Sequence, residues 1–217
     1  MPEPSIKGTI FGPVAEEIQA LHESGRLGED ELAAALEAKD IALLDAKTTV
    51  ASWYPIETYA RYLDLLCRLE GGGSPRYFEK RGNMSARRLM DAGLYTQLDL
   101  LGSIADEPVR IGEDAERRAL RAYRSKLAVV LSLAGSIYNV GRWKVIEDEQ
   151  HPGRAAIEIR EASAYSDGMA GAIVGFLDEC ARAVSRKIQK LYRFERPDRD
   201  RIVIRMLRDL YDVRKER

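Results

Sequence analysis

An α+β fold is predicted by three features of this sequence. Short stretches of alternating polarity come in two pairs, Arg142 to Glu149 with Ala155 to Glu161, and Ile188 to Arg196 with Arg201 to Arg208; such alternation marks half-buried strands. Between the pairs lies one strongly amphipathic stretch, Ser166 to Lys187. Ahead of both, the chain is mostly helical in pattern. The expected architecture is therefore a set of N-terminal helices, then a long helix and a β-hairpin–helix–β-hairpin unit, giving a four-stranded antiparallel sheet covered by helices. A chain of 217 residues holds this as a single domain, 1–217, with a mostly helical part at 1–105 and a helix-plus-ββαββ part at 115–210.

Taken in order, Ile6-Lys7-Gly8-Thr9-Ile10-Phe11-Gly12-Pro13 reads as a short extended piece punctuated by glycines. A helix follows with Val14, Ile18 and Leu21 inward and His22 beside them, and Ser24-Gly25 stops it. Gly28 to Ala46 reads as one further helical segment, its first turn carrying Glu29, Asp30 and Glu31 where the helix dipole favours acids. Pro55 opens the next helix, since proline in a first turn loses no useful donor. Ile56, Tyr59, Ala60, Leu63, Leu66 and Cys67 form its stripe, and Gly71-Gly72-Gly73 ends it. That glycine run is followed by Ser74-Pro75-Arg76, without the lysine and hydroxyl residue of a phosphate-binding loop. Residues 75–104 read as helical with a break near Gly82, and Arg76, Lys80, Arg81, Arg87 and Arg88 make them locally basic. Residues 106–114 form a loop. Ala115 to Tyr138 is then a long helix, basic at first and almost wholly apolar from Leu127 to Ala134.

In the central stretch, Met169, Ala172, Ile173, Phe176, Leu177, Cys180, Ala181 and Val184 make the apolar stripe, with Asp178, Glu179, Arg182 and Arg186 on the other side. Ser166 or Asp167 can cap its first free N–H groups. Gly168, Gly171 and Gly175 each cost a helix roughly 1 kcal/mol relative to alanine, which either close packing or room for a ligand would offset. Gln150-His151-Pro152-Gly153 and Pro197-Asp198-Arg199-Asp200 supply the reversing turns. In the third stretch Ile188, Lys190, Tyr192 and Phe194 share a face, and in the fourth Ile202, Ile204 and Met206 do, opposite Val203, Arg205 and Leu207. The apolar face needs a cover, and the Ser166 helix is the nearest candidate.

Charged residues make up 32% and hydrophobic residues 45%, with a net charge of −1, the profile of an ordinary globular chain. Arg117, Arg118, Arg121 and Arg124 offer a nucleic-acid reading, which the balanced total charge opposes. No export signal is visible at the start, and no apolar run approaches the roughly 20 residues needed to span a bilayer, so a cytoplasmic protein is expected. Cys67 and Cys180 sit at helix-core positions and read as reduced packing thiols. Catalysis near neutral pH usually draws on histidine; the histidines here are His22, on a helix, and His151, in a turn. Zinc, nucleophile-elbow and dinucleotide signatures are absent. Adjacent acids such as Glu16-Glu17 and Asp178-Glu179 diverge around a helix and read as solvated surface. Neither an enzyme nor a metal or cofactor site is expected.

Helices followed by hairpin, helix and hairpin resemble the fold shared by four-vinyl-reductase ligand-binding domains, heme and nitric-oxide-binding domains, and the small subunits of the TRAPP vesicle-tethering complex. Ile6-Lys7-Gly8-Thr9-Ile10-Phe11, Trp53-Tyr54-Pro55 and Gly175-Phe176-Leu177 also resemble a myxobacterial branch of that group. The resemblance implies binding of a small hydrophobic molecule, often an acyl chain, between helices and sheet, commonly in a homodimer built on the long helices. Departures narrow it. Ile188 to Arg208 lacks the cysteines and histidine of the vinyl-reductase group, and Tyr123-Arg124-Ser125-Lys126-Leu127 places leucine where heme relatives carry arginine. Metal and heme are therefore not expected.

The leading expectation is a non-enzymatic sensor or carrier for a fatty acyl chain or acyl-CoA, with apolar helices beside basic clusters that could hold a phosphate or carboxylate head. Tyr54, Tyr59, Leu133, Ile137, Ile173 and Phe176 would line the tail site, with Arg88 or Arg124 near the head; each apolar member also reads as ordinary core. The rival is a dimeric protein-interaction scaffold resembling the tethering subunits.

Overall fold

The computed structural model describes residues 3–93, 127, 131–151, 154–184 and 190–207. Extended backbone at the start is confined to β1 (Ser5–Lys7), which pairs antiparallel with β2 (Trp53–Pro55), Ile6 opposite Tyr54. Helix α1 (Gly8–Glu23) begins directly after it and carries Pro13 inside, so the expected extended piece through Pro13 is corrected. Gly8 is there for close approach: a Cβ would stand 1.9 Å from the Thr49 carbonyl oxygen.

The single segment expected from Gly28 to Ala46 is two helices, α2 (Glu29–Ala35) and α3 (Ala38–Asp45). The break has a local cause. Leu36 and Glu37 are extended, and Glu37 and Asp40 cap α3 reciprocally, an alternative to continuous helix that side-chain oxygens offer. The Asp40 side chain is wholly buried and accepts from Thr58 (2.5 Å), from Arg61 Nε and Nη2 (2.6 and 2.9 Å) and from Glu37 N–H (3.0 Å).

Helix α4 (Ile56–Gly71) follows Pro55 as expected and ends at Gly72, whose φ of 56° is the left-handed cap. Helix α5 (Arg76–Asp91) runs unbroken through Gly82, correcting the expected break there. Residues 131–137 are helical and form α6; the expected loop at 106–114 and most of the Ala115 to Tyr138 helix lie outside the described residues.

The sheet is the one expected. β3 (Arg142–Glu147), β4 (Ala155–Arg160), β5 (Tyr192–Asp198) and β6 (Arg201–Met206) are antiparallel in the order β3-β4-β6-β5. β5 continues through Pro197, with a register shift between Glu195 and Asp198, so the second reversal is tighter than the expected four-residue turn. Proline is tolerated there because β5 borders the sheet. Lys190 precedes the strand and reaches Glu79 at 2.7 Å; it does not share the apolar face.

Ile157, Ile159, Tyr192, Ile202 and Ile204, all fully buried, give that face its core. The opposite face is polar yet also buried in part. Glu158 accepts from Arg160 (2.9 Å) and Arg201 (2.7 Å), and Arg205 pairs with Asp148 and, at 3.0 Å, with Glu195.

Helix α7 (Asp167–Val184) starts where Ser166 Oγ accepts the Met169 N–H (3.1 Å). It lies against α5, which settles the role of its glycines: a Cβ on Gly175 would meet the Glu79 carbonyl oxygen at 1.9 Å, and one on Gly82 would meet that of Ala172 at 1.8 Å. Asp178 and Glu179, expected on a solvated side, are both buried. Asp178 accepts the N–H groups of Leu191 and Tyr192 (2.8 and 3.0 Å), and Glu179 accepts from Arg87 (2.6 Å) and Arg182 (2.8 Å). The expectation fails because α5 and the approach to β5 cover the helix there. Cys67 and Cys180 are buried free thiols.

Candidate functional site

A cavity of about 60 Å³ lies where α4, α5, α6 and α7 meet the start of β3. Tyr59, Leu133, Ile137, Ile173 and Phe176, all expected at the tail site, line it. The glycine contact between α5 and α7 sits at its edge, since Gly82 and Ala172 are part of the wall. Close packing and a small apolar space thus coexist on the same helix.

The remaining expected site residues fall elsewhere. Tyr54 stacks on Phe11, centroids 4.4 Å apart and planes within 8°, and its hydroxyl accepts the Thr49 N–H (2.8 Å). That ring packs in the core between α1 and β2, so its assignment to the tail site is corrected. Arg88 lines a second, smaller hollow between α1 and α5. Arg124 lies outside the described residues.

Sequence reasoning missed the polar part of the lining. Ser85, Tyr138 and Trp143 all face this space. Tyr138 stacks on Trp143 with centroids 5.8 Å apart, across the turn that Gly141 makes with φ of 86°. Two aromatic residues bracketing a glycine at a helix-to-strand junction are the signal that could have found them. The Trp143 indole N–H is buried beside the Tyr165 hydroxyl, which can accept from it while donating to the Val140 carbonyl (2.7 Å). Tyr59, Tyr138 and Ser85 make no side-chain hydrogen bond among the described residues. Burial pushes the Tyr59 and Tyr138 phenols well above their ordinary pKa, so both stay protonated hydrogen-bond donors.

His22 Nδ1 lies 3.0 Å from the Leu27 carbonyl oxygen, and His151 is exposed in its turn. Among the described residues, no group of three or more His, Cys, Asp or Glu is placed to hold a metal ion, and no helix is long and apolar enough to cross a membrane.

No family model matches the chain, and no curated protein matches it. Among solved structures it is similar to a mutant H-NOX protein from K. algicida in its Fe(II) unliganded form, with a TM-score of 0.51 and 13% sequence identity over 95% of this chain and 99% of that one. That likeness establishes a shared fold, the heme and nitric-oxide-binding arm of the resemblance read from sequence. The fold raises the question of heme, and the described lining does not fit it. Heme iron takes an axial imidazole, thiolate, thioether or phenolate. The described lining offers no histidine, cysteine or methionine, the side chains that most often hold heme iron. A cavity of about 60 Å³ is also smaller than the ~150 Å³ that takes benzene.

Proposed function

We propose that this protein binds a small, mainly apolar molecule bearing a hydrogen-bond acceptor, in the chamber between α4, α6 and α7, and acts as a sensor or carrier. One observation carries the reading. Tyr59, Ser85 and Tyr138 bring hydroxyls that make no side-chain hydrogen bond among the described residues to an otherwise apolar wall. A hydroxyl in such a wall gains from an acceptor, and a ligand oxygen would supply one. The volume of about 60 Å³ favours a molecule smaller than benzene; an acyl chain requires the chamber to widen. Neutral phenols held far above neutral pH are poor proton shuttles, which supports a binding role over a catalytic one. An H-NOX protein with Fe(II) shares this plan, which supports reading the interior as a ligand site while the lining here selects a different occupant.

Native mass spectrometry of protein purified from cells reads a retained ligand and the oligomeric state together. Titration with ethanol and propanol, followed by NMR, is expected to shift the Trp143 indole N–H, and Ile173→Trp, which fills the chamber, is expected to abolish the shift. A protein that carries nothing from cells and responds to neither alcohol would overturn the reading.

A further inference from the structure

We infer that the sheet face turned away from the chamber binds a small phosphate-bearing anion, on a patch made by Arg142, Lys144 and Arg160 with Arg201 beside them. Side chains alternate along a strand. Trp143 lines the chamber, so Arg142 and Lys144, on either side of it in β3, lie on the opposite face. The register then sets Arg142 directly opposite Arg160 on β4, and Arg160 directly opposite Arg201 on β6. Like charges placed so destabilise a sheet. A row of three arginines across three strands is therefore a cost that packing of the core does not require.

Glu158, one row along on the same face, organises the arginines. Its side chain is 7% exposed and accepts from Arg160 Nε at 2.9 Å and from Arg201 Nε at 2.7 Å. Burial raises the Glu158 pKa, but the hydrogen bonds from Arg160 and Arg201 and their charges bring it below the ordinary value. The carboxylate therefore stays charged and holds both guanidinium groups in place, and each keeps terminal N–H groups for another acceptor. The Arg160 side chain is 66% exposed and that of Arg142 77%. Arg142 pairs with Glu161 at the surface, a kind of pair that contributes little and can yield to a stronger acceptor. Lys144 is exposed and forms no ion pair or hydrogen bond among the described residues. Carboxylates bound the patch on its far side: Asp198 of β5 stands opposite Arg201, and Glu149 lies 4.0 Å from it. The uncompensated charge is thus at Arg142, Lys144 and Arg160. With strands about 4.8 Å apart, that patch has the width of one or two phosphate groups, whose oxygens suit guanidinium forks. A polymer or a membrane surface would need more.

The test titrates pyrophosphate into the full-length protein and its variants at low salt, followed by NMR and calorimetry. Wild-type protein is expected to bind it, with an affinity that falls as salt is added. Lys144→Gln, which breaks no ion pair, and Arg142→Gln are each expected to weaken binding about tenfold. Glu161→Gln, which removes the competing carboxylate, is expected to tighten it. All three should keep the wild-type thermal midpoint and the response of the chamber to ethanol, so the two sites can fail separately. Millimolar pyrophosphate without effect on the spectrum, or an affinity indifferent to both Lys144→Gln and Arg142→Gln, would overturn the inference. Single-stranded DNA, or vesicles of phosphatidylcholine with phosphatidylserine, binding through these residues where pyrophosphate does not would overturn it equally.

Discussion

Gly82 of α5 faces the main-chain carbonyl of Ala172 in α7 so closely that a Cβ would stand 1.8 Å from the oxygen. Gly175 repeats the relationship with Glu79 at 1.9 Å. Backbone cannot step aside as a side chain can, so Gly82→Ala and Gly175→Ala are expected to destabilise by about 1–3 kcal/mol or more, outweighing the roughly 1 kcal/mol that alanine adds to helix propensity. Gly171→Ala would meet a side-chain atom of Phe78 at 3.1 Å and is expected to be near neutral. Urea midpoints for the three variants test this ranking.

Asp40 supplies the opposite kind of contact, a buried charge with its partners in place. Burial alone would raise its pKa, but the hydrogen bonds from Arg61, Thr58 and Glu37, with the Arg61 charge, bring it below the usual carboxylate value of 3.8. A folded-state pKa below the unfolded one contributes stability above that value, lost as pH falls through the folded pKa. Asp40→Ala is expected to cost about 2–4 kcal/mol at neutral pH, in the lower part of the range for a broken buried pair because the Arg61 side chain is 25% exposed. The gap to wild type should close in acid, which chemical denaturation as a function of pH would show.

Asp178 is the mirror case. Desolvation by burial raises its pKa above 3.8 and prevails over the Leu191 and Tyr192 N–H groups, which act the other way. The folded state then holds the proton more tightly than the unfolded one, so this group's contribution is full below 3.8 and declines as pH rises through the folded pKa. Asp178→Asn keeps the accepting oxygen and removes the charge. It is expected to equal or exceed wild-type stability at neutral pH, with Asp178→Ala well below both. An asparagine variant as unstable as the alanine one would contradict the assignment.

Phe176 is only partly buried and lines the chamber. Phe176→Ala is expected to cost about 1–2 kcal/mol, against ~3–5 kcal/mol for a phenylalanine packed on all sides. Leu63, fully buried in α4, is the control, with Leu63→Ala expected at about 2–5 kcal/mol. A Phe176 loss equal to that of Leu63 would mean the ring is structural packing, not chamber wall.

The ββαββ unit was legible because alternation, turn residues and helical period agree along Arg142 to Met206. Other elements escaped for identifiable reasons. β1 and β2 are three residues each, too short for alternation to register, and their pairing joins segments far apart in sequence. The break between α2 and α3 depends on what the Asp40 carboxylate does, not on helix propensity. Gly82 looked like a break because glycine weakens an isolated helix, whereas here it admits a neighbouring one. At the site, Tyr59, Leu133, Ile137, Ile173 and Phe176 followed from apolar periodicity. Tyr138 and Trp143 did not, since their convergence depends on the Gly141 turn. Tyr54 was misplaced because sequence cannot distinguish an aromatic ring stacked in the core from one bordering a space.

Pro197 sits in the irregular register of β5, at a border of the sheet. A free ribbon flank tends to recruit a like segment from another molecule. Here one amide proton is missing, the local backbone is offset, and Arg193, Glu195 and Arg196 add charge along the same strand. Among the described residues, that border strand offers an interrupted, charged template, a poor match for a pairing segment.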